Sequence, residues 1–217
     1  MANNFKNAVK RNISADSGLP TEIYKAPNSK KSIAIEIDVS NKSSAGVTVT
    51  VQLEDESQNE AGGDAHSVTV ATGGTGIITP TNAAAHNLII NDRVIFGGTA
   101  SSFTNASLPP SGETAVSATR MYYVQSRPSD STFTIAETKS GTLLTFDTTG
   151  SSVVFTKIHL ADVVKDAPVP VGGALKVIAG QKLVLESTAT DNNDKIYAYA
   201  SAASACDVIA SVLEDVS

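Results

Sequence analysis

Histidine and acidic residues are the side chains of this chain best suited to catalysis or metal binding, but their spacing favours neither. The three histidines, His66, His86 and His159, are scattered, and no Cys, Asp or Glu lies at metal-ligand spacing from them. We therefore interpret His86 as a structural residue that holds the turn before Leu88. Asp92 is interpreted as a turn aspartate and a surface partner, not as an acid or base.

The motifs of nucleophilic, metalloprotease and redox sites do not occur in the sequence. There is no G-x-S-x-G, H-E-x-x-H or C-x-x-C, and the Gly-Gly-Thr-Gly segment at 73–76 lacks the Lys and the following helix of a phosphate loop. We therefore predict that the protein is not an enzyme and needs no cofactor and no metal. A hydrolase is the alternative that no constellation of residues supports.

Two other groups of residues suggest binding chemistry. The Asp-Asn-Asn-Asp segment at 191–194, with Asp55 and Glu56, has the oxygen ligands that a hard cation prefers. The Gly and the distal Glu of an EF-hand are absent, so we favour a solvated turn. Tyr122 and Tyr123 are expected to point to opposite faces of one strand, with one ring in the core and one outward. An outward ring can stack on a sugar.

The composition favours strands and an acidic surface. Of 217 residues, 41% are apolar and 5% aromatic, and the apolar residues are mostly Val, Ile and Ala, which favours pleated strands. The formal net charge of −6 argues against binding to nucleic acid. Cys206 is the single cysteine, so no intrachain disulfide can form, and a buried thiol is favoured over a reactive one. We expect no signal peptide and no membrane span, because no apolar run approaches about 18 residues.

Alternating apolar residues predict strands before and after a middle region rich in Gly, Thr and Ser. Ile33, Ile35, Ile37 and Val39 alternate with smaller or charged residues, which is typical of a strand with one buried face. This strand and a second one at 47–54 are predicted to form a hairpin.

The strand count predicts an all-β fold in which one domain interrupts another. Residues 21–60 and 160–217 are expected to form a discontinuous antiparallel β-sandwich, because neither set makes a sufficient core alone. Residues 66–158 contain several short strands and are expected to form an inserted small β-barrel or sandwich module. Such insertions are tolerated where the ends of a surface loop lie close together.

Residues 1–20 are predicted to form an N-terminal arm with a role in assembly. Phe5, Val9 and Ile13 recur at i, i+4 and i+8, which fits a short helix with one apolar stripe that would be marginal without a partner. A disordered tail and an arm that docks onto a neighbouring subunit are equal alternatives. The candidate assembly interface combines this basic arm, a proline-containing edge and the acidic C-terminal end: Phe5, Val9, Lys10, Arg11, Ile13, Pro168, Pro170, Glu214 and Asp215. The arm of one subunit is then expected to lie on the acidic end of its neighbour.

The middle region carries a recognisable pattern, A-H-G-L, polar turn, G-D-x-V-x-F, L-P, Y-Y-V and t-F-x-[LIV]-[SA]. The matching segments are Ala85-His86-Asn87-Leu88, Asn91-Asp92-Arg93-Val94-Ile95-Phe96, Leu108-Pro109, Met121-Tyr122-Tyr123-Val124 and Thr132-Phe133-Thr134-Ile135-Ala136. This pattern resembles a small β-rich module that recurs in tailed-bacteriophage virion proteins. Asn87 and Asn91 stand where the pattern usually has Gly, and Asn is the best substitute for Gly at positive φ.

The flanking segments are similar to short virion proteins of marine tailed phages. The similarity lies in Met1–Phe5, Lys31–Ile33, Val164–Pro170 and Ser211–Asp215. It implies a particle component without fixing its place in the particle.

The two resemblances together imply a non-enzymatic, homo-oligomeric virion structural protein, assembled in the host cytoplasm. Its expected partners are other copies of itself and the portal, neck, tail or major capsid proteins. We rank a position in the neck or tail, at the head–tail junction, as the first hypothesis and capsid decoration as the second. The inserted module is expected to project outward. The alternative is a module that binds a host receptor or a surface glycan through residues 66–158. No nucleic acid and no membrane partner is expected.

Overall fold

The computed structural model describes residues 4–60, 66–70, 75–80, 86–105, 109–148, 153–178, 180–189 and 192–215. The fold is all-β with antiparallel sheets, which confirms the predicted fold class. The strands are β1 (Asn4–Lys10), β2 (Thr21–Lys25), β3 (Lys31–Asn41), β4 (Val47–Glu54), β5 (His66–Val70), β6 (Ile78–Pro80), β7 (Arg93–Gly98), β8 (Met121–Ser129), β9 (Thr132–Ala136), β10 (Val153–Ile158), β11 (Leu160–Val169), β12 (Ala174–Ile178), β13 (Leu183–Ala189), β14 (Asn192–Asn193), β15 (Lys195–Ala200) and β16 (Cys206–Glu214).

Helical structure in the described residues is limited to two short 3₁₀ segments, Glu56–Gln58 and Ala100–Ser102. Neither is long and apolar enough to cross a membrane. The chain divides into two compact units, Met1–Gln58 with His159–Ser217, and Asn59–Ile158.

The first unit is a sandwich of two antiparallel sheets around one core. One sheet has the order β1-β16-β3-β13-β14, with β12 also paired to β3, and the other has the order β11-β4-β15-β2. Ile37 and Val39 of the first sheet and Val49 and Val51 of the second are buried in a common cluster. Because β3 pairs with β16 and β4 pairs with β15, each sheet needs strands from both ends of the chain.

The predicted hairpin between residues 32–40 and 47–54 is wrong, because β3 and β4 belong to different sheets. The apolar face of a strand can be buried whether the strand pairs with its neighbour in one sheet or packs against it across the core. Here β3 and β4 pack against each other across the core. The buried Asn41 amide donates to the carbonyls of Ala45 (2.8 Å) and Val169 (3.0 Å). These bonds hold the chain where it crosses from one sheet to the other.

A β-bulge in β3 divides the apolar residues that were predicted to share one face. The register of β3 against β16 skips Ile35. Ile37 and Val39 are completely buried, whereas Ile33 and Ile35 are partly exposed. The extra residue shifts the alternation by one, so the single-face prediction is correct only for the second half of the strand.

Residues 4–10 form a strand, so the predicted helix and the disordered tail are both wrong for this segment. β1 pairs antiparallel with β16 along its whole length. The i, i+4 spacing of Phe5 and Val9 also fits one face of a strand, because alternate strand residues share a face. A lone helix of this length is marginal in water, whereas pairing with β16 satisfies the backbone hydrogen bonds.

The second unit is a closed barrel with the strand order β10-β5-β6-β9-β8-β7. Its buried core is rich in aromatic side chains, among them Phe96, Phe103, Tyr122 and Phe146. Contacting rings in this group have centroids 5.8 to 6.2 Å apart in edge-to-face and tilted arrangements. This is the geometry that aromatic pairs prefer.

The turn that leads into β7 confirms the expected backbone conformations. Asn87 has φ 50° and Asn91 has φ 74°, so both occupy the left-handed region where the resembling pattern has Gly. The Asn91 N–H donates to the Val124 carbonyl at 2.9 Å, which attaches the turn to β8. Ala85 and Leu108 of the same pattern lie outside the described residues.

Candidate assembly surface

The solvent-facing side of the six-stranded sheet carries apolar side chains across four adjacent strands. Residues opposite each other in antiparallel strands share a face. The register places Phe5 opposite Leu213, Leu213 opposite Ile33, and Ile33 opposite Val184. Phe5 is 73% and Val184 is 50% exposed, and the two central residues are partly exposed. We call these four residues the apolar row.

The alternation of β16 shows which side of the sheet this row occupies. Val208, Ala210 and Val212 are completely buried in the core of the sandwich. Successive strand residues point to opposite faces, so Ile209 and Leu213 point away from the core. The apolar row therefore lies on the outer face of the sheet.

A second apolar pair lies beside the row on the same face. Val9 is opposite Ile209, and their side chains are 51% and 46% exposed. Beyond Ile209 the same line continues into Asp38 and Lys176, which are polar. The apolar surface is therefore widest on β1 and β16, at the edge of the sheet.

The outer face of the four-stranded sheet has a different chemistry. On its central strand β4 the outward residues are Thr50, Gln52 and Glu54, and all three are buried. Gln52 donates to Asp162 at 2.6 Å, and Lys195 forms an ion pair with Glu54 at 3.0 Å. Polar contacts thus cover this face, whereas the six-stranded sheet presents apolar groups to water.

The edge of the six-stranded sheet at β1 is open. Along the described part of the chain, no strand pairs with β1 on the side away from β16. Only Ala8 of this strand packs partly against the core, and its other side chains are exposed. An edge strand presents unpaired N–H and C=O groups that can accept another strand. The open edge and the apolar surface are adjacent.

The arm residues named from the sequence separate into two environments. Lys10 and Arg11 are exposed at the end of β1, next to Phe5 and Val9 along the strand. Ile13 is completely buried, and its N–H donates to the Cys206 carbonyl at 3.0 Å. Ile13 is thus part of the sandwich core, because the chain turns inward after β1 instead of continuing as a helix.

The acidic C-terminal end binds basic residues of the same chain. Glu214 accepts hydrogen bonds from Lys6 (3.2 Å) and from the Tyr24 hydroxyl (3.0 Å), and Asp215 pairs with Lys30 at 3.1 Å. Burial raises the pKa of Tyr24, so its hydroxyl stays protonated and donates. In this structure the contact expected between neighbouring subunits is made within one chain.

The proline-containing edge is confirmed as an edge strand but lies away from the arm. Pro168 is on β11, the edge of the four-stranded sheet, and Pro170 follows it. Both side chains are exposed, with Val169 buried between them. β1 contacts β2, which is the opposite edge of that sheet. The predicted interface residues therefore do not form a single patch.

His86 has the structural role predicted for it. The Leu88 N–H donates to Nδ1 at 3.1 Å, so the ring carries its proton on Nε2, which donates to the Thr132 carbonyl at 3.2 Å. Burial lowers the pKa of His86, which favours this neutral form. Asp92 accepts from the Ile89 N–H at 2.8 Å, which confirms a turn aspartate.

The prediction of an outward tyrosine ring is wrong. Tyr122 is in the barrel core, and Tyr123 on the other face is only 6% exposed. Arg93 lies opposite Tyr123 in the neighbouring strand, donates to its hydroxyl at 2.6 Å and covers its ring, with the guanidinium carbon 4.7 Å from the ring centroid. This cation–π contact removes the ring as a platform for a sugar.

Two residues of the segment predicted as a solvated turn, Asn193 and Asp194, are buried instead. Asn193 is completely buried, and the two carboxylate oxygens of Asp194 accept from the backbone N–H groups of Glu56 (3.0 Å) and Glu186 (2.9 Å). Within the described residues no group of three His, Cys, Asp or Glu side chains is placed to hold a metal ion. Asp191 lies outside the described residues.

The single cysteine is a core residue, as predicted. Cys206 is completely buried in the sandwich cluster. Burial raises the pKa of its thiol, which disfavours the reactive thiolate.

The segment at 73–76 was predicted not to be a phosphate loop. Residues 73 and 74 of this segment lie outside the described part of the chain.

Sequence reasoning named Phe5 and Val9 but missed the rest of the apolar surface. The missed residues are Ile33, Val184, Ile209 and Leu213. A signal was present in β16, where apolar residues occur at both odd and even positions from 208 to 213. Such a strand carries apolar groups on both faces. Only one face of a strand in a two-sheet sandwich points to the core, so the apolar groups on the other face point outward.

No family model matches the sequence, and no curated protein or solved structure matches the chain.

Proposed function

We propose that this chain is a non-enzymatic structural subunit of a tailed-phage particle, and that it self-associates through the outer face of its six-stranded sheet. The observation that carries the proposal is the apolar row, together with Val9 and Ile209 beside it. Contiguous exposed apolar surface of this kind marks a site of protein–protein interaction.

Burial of the apolar surface contributes too little free energy to hold a complex together alone, so the interface must include further contacts. Complete burial of one Val, Leu, Ile or Phe side chain contributes about 1.5 to 3 kcal/mol. Four side chains, Phe5, Val9, Val184 and Ile209, are close to half exposed or more. Association itself costs roughly 4 to 15 kcal/mol in lost freedom of motion. A stable complex therefore needs the open edge of β1 as well as the apolar surface.

The particle context rests on the sequence pattern around His86 and on the flanking segments. A subunit at the neck or tail, in contact with portal, neck or tail proteins, is proposed first, and a capsid decoration protein second. In either place a neighbouring subunit would cover the exposed apolar surface of this sheet. A role in receptor or glycan binding lacks a supporting observation, because the Tyr123 ring is covered by Arg93.

Sedimentation velocity over a range of concentrations tests self-association. We expect the unmodified protein to associate, and Phe5→Ser or Val9→Ser to weaken association about tenfold or more, which corresponds to about 1.4 kcal/mol. Val171→Ser is the matched control, because Val171 is 58% exposed but lies after β11, away from this face. A protein that stays monomeric, or equal effects of all three substitutions, would contradict the proposal.

The particle role has its own tests. Mass spectrometry of purified phage particles should detect the chain in many copies per particle, and its absence from particles would contradict that role. Negative-stain images of the protein with and without residues 1–10 should show that assemblies require β1. This deletion leaves the buried Ile13 in place, so the sandwich core is retained.

A further inference from the structure

We infer that the partner at the β1 edge of this surface is a second copy of the chain, and that β1 of each copy pairs antiparallel with β1 of the other about a two-fold axis at Asn7. This inference deepens the proposed function and rests on it. It joins the two six-stranded sheets into one sheet that runs through both copies.

The free edge of β1 provides the hydrogen-bonding groups for this pairing. In an antiparallel ladder, alternate residues of a strand direct their N–H and C=O groups to the same side. β16 pairs with one side of β1, and among the described strands none pairs with the other. Pairing of a seven-residue edge with its own copy would satisfy these groups along the whole strand.

The side chains of β1 are self-complementary about Asn7. A two-fold axis at this residue places Phe5 of one copy opposite Val9 of the second copy, and Val9 opposite Phe5. Both residues lie on the outer face, and both are more than half exposed in the single chain. An aromatic residue opposite a β-branched residue is a favourable cross-strand pair.

The charges of β1 select the same register. With the axis at Asn7, Lys6 faces Ala8 and Lys10 faces Asn4, so no like charges lie directly opposite each other. An axis at Lys6 would place two copies of Lys6 together, and an axis at Ala8 would place Lys6 opposite Lys10. Like charges directly opposite are destabilising in a sheet. The charge of Lys6 is in addition balanced by Glu214 of its own chain.

The same register makes the apolar surface continuous between the copies. The apolar row of one copy ends at Phe5, which meets Val9 and then Ile209 of the second copy. The two-fold axis generates a second continuous line, which runs from the apolar row of the second copy to Val9 and Ile209 of the first. Neither line is interrupted by a charged residue at the junction, which is what a self-complementary, isologous interface requires.

Variants with one added cysteine test both the partner and the register. Asn7→Cys should form a disulfide-linked dimer under mild oxidation, because directly opposite residues have Cβ atoms about 4.5 to 5.5 Å apart. Phe5→Cys alone and Val9→Cys alone should remain monomeric on a non-reducing gel, because identical positions are then four residues apart, about 13 Å. An equimolar mixture of these two variants should cross-link. The unmodified chain, with its buried Cys206, is the control.

The outcomes separate this inference from the proposed function. If the protein associates in sedimentation but neither Asn7→Cys nor the mixture cross-links, the β1 pairing is overturned and self-association stands. Cross-linking of Phe5→Cys alone as strongly as the mixture overturns the register. A protein that is monomeric in every assay overturns both. As a second measurement on the unmodified protein, hydrogen exchange should show that amides of β1 become protected as concentration rises, and unchanged exchange would count against the pairing.

Discussion

At the scale of single residues, His86 illustrates how a side chain suited to catalysis is used to hold a turn. Its two ring nitrogens are both committed, one to the Leu88 N–H and one to the Thr132 carbonyl. If the ring were protonated, Nδ1 would carry a hydrogen and would face the Leu88 N–H, which is also a donor. The neutral ring is therefore the form that the fold requires.

The free energy of unfolding should consequently depend on pH through His86. Because the folded-state pKa is lowered below its ordinary value of 6.5, the contribution is fully present above about pH 6.5. It is lost as the pH falls from there through the folded-state pKa, where the unfolded chain binds more protons. Urea unfolding at a series of pH values from 5 to 7.5 measures the slope.

His86→Gln separates this effect from the titration of the other histidines. We expect a flatter pH dependence in this range and a loss of about 1 to 3 kcal/mol at pH 7.5, since the buried Leu88 N–H loses its acceptor. The variant retains His66 and His159, so a difference between the two proteins reports on position 86. An identical slope in the variant would assign the pH dependence to other groups.

At the scale of elements, the turn before β7 shows how Asn replaces Gly. Asn91 has φ 74°, and its backbone N–H attaches the turn to β8 through Val124. A Cβ atom disfavours this conformation, and Asn tolerates it better than most residues.

Substitution of Asn91 tests this account of the turn. Asn91→Ala should lower the free energy of unfolding of the barrel by about 1 kcal/mol, and Asn91→Gly should leave it nearly unchanged. The Asn91 side chain is exposed, so loss of core packing does not contribute. Chemical denaturation followed by the signal of the barrel tyrosines measures both variants. Equal destabilisation by Gly and Ala would indicate that the Asn side chain, and not the backbone conformation, stabilises the turn.

β3 is the element in which local pattern and tertiary structure differ most. Its alternation of Ile and Val predicts one buried face, but the bulge at Ile35 moves Ile33 to the outer side while Ile37 and Val39 remain inside. Without this bulge Ala34, and not Ile33, would lie opposite Leu213. The large apolar side chain at this point of the apolar row therefore depends on one extra residue in one strand.

At the scale of the whole molecule, the chain builds two separate cores. The sandwich core is mainly aliphatic, and the barrel core is rich in aromatic rings. Each unit has its own cluster of buried residues, so each contains the apolar burial needed for cooperative unfolding.

We therefore expect two unfolding transitions in differential scanning calorimetry. Ile37→Ala should lower the Tm of the sandwich transition, and Phe96→Ala that of the barrel transition, each by more than about 10 °C, because such substitutions cost roughly 3 to 5 kcal/mol. Each variant should leave the other transition in place. A single transition that both substitutions shift equally would show that the units unfold together.

The sequence by itself determined the β class, most of the strands, the left-handed turn residues Asn87 and Asn91, the structural role of His86 and the buried thiol of Cys206. These features depend on local properties, namely side-chain alternation, backbone preference at positive φ, and the absence of ligand spacing. The placement of the inserted module and the particle role remain predictions from pattern and resemblance.

Only the tertiary structure decided which strands pair, and therefore which apolar residues face water. A strand with apolar residues on one face can pair with its neighbour in sequence or face it across a core, and the local pattern is the same in both cases. The observed pairing puts β3 and β4 in different sheets and pairs β1 with β16. It also places Arg93 over the ring of Tyr123. It also aligned Phe5, Leu213, Ile33 and Val184, which are distant in sequence, because the register of paired strands is set by contacts along both strands at once.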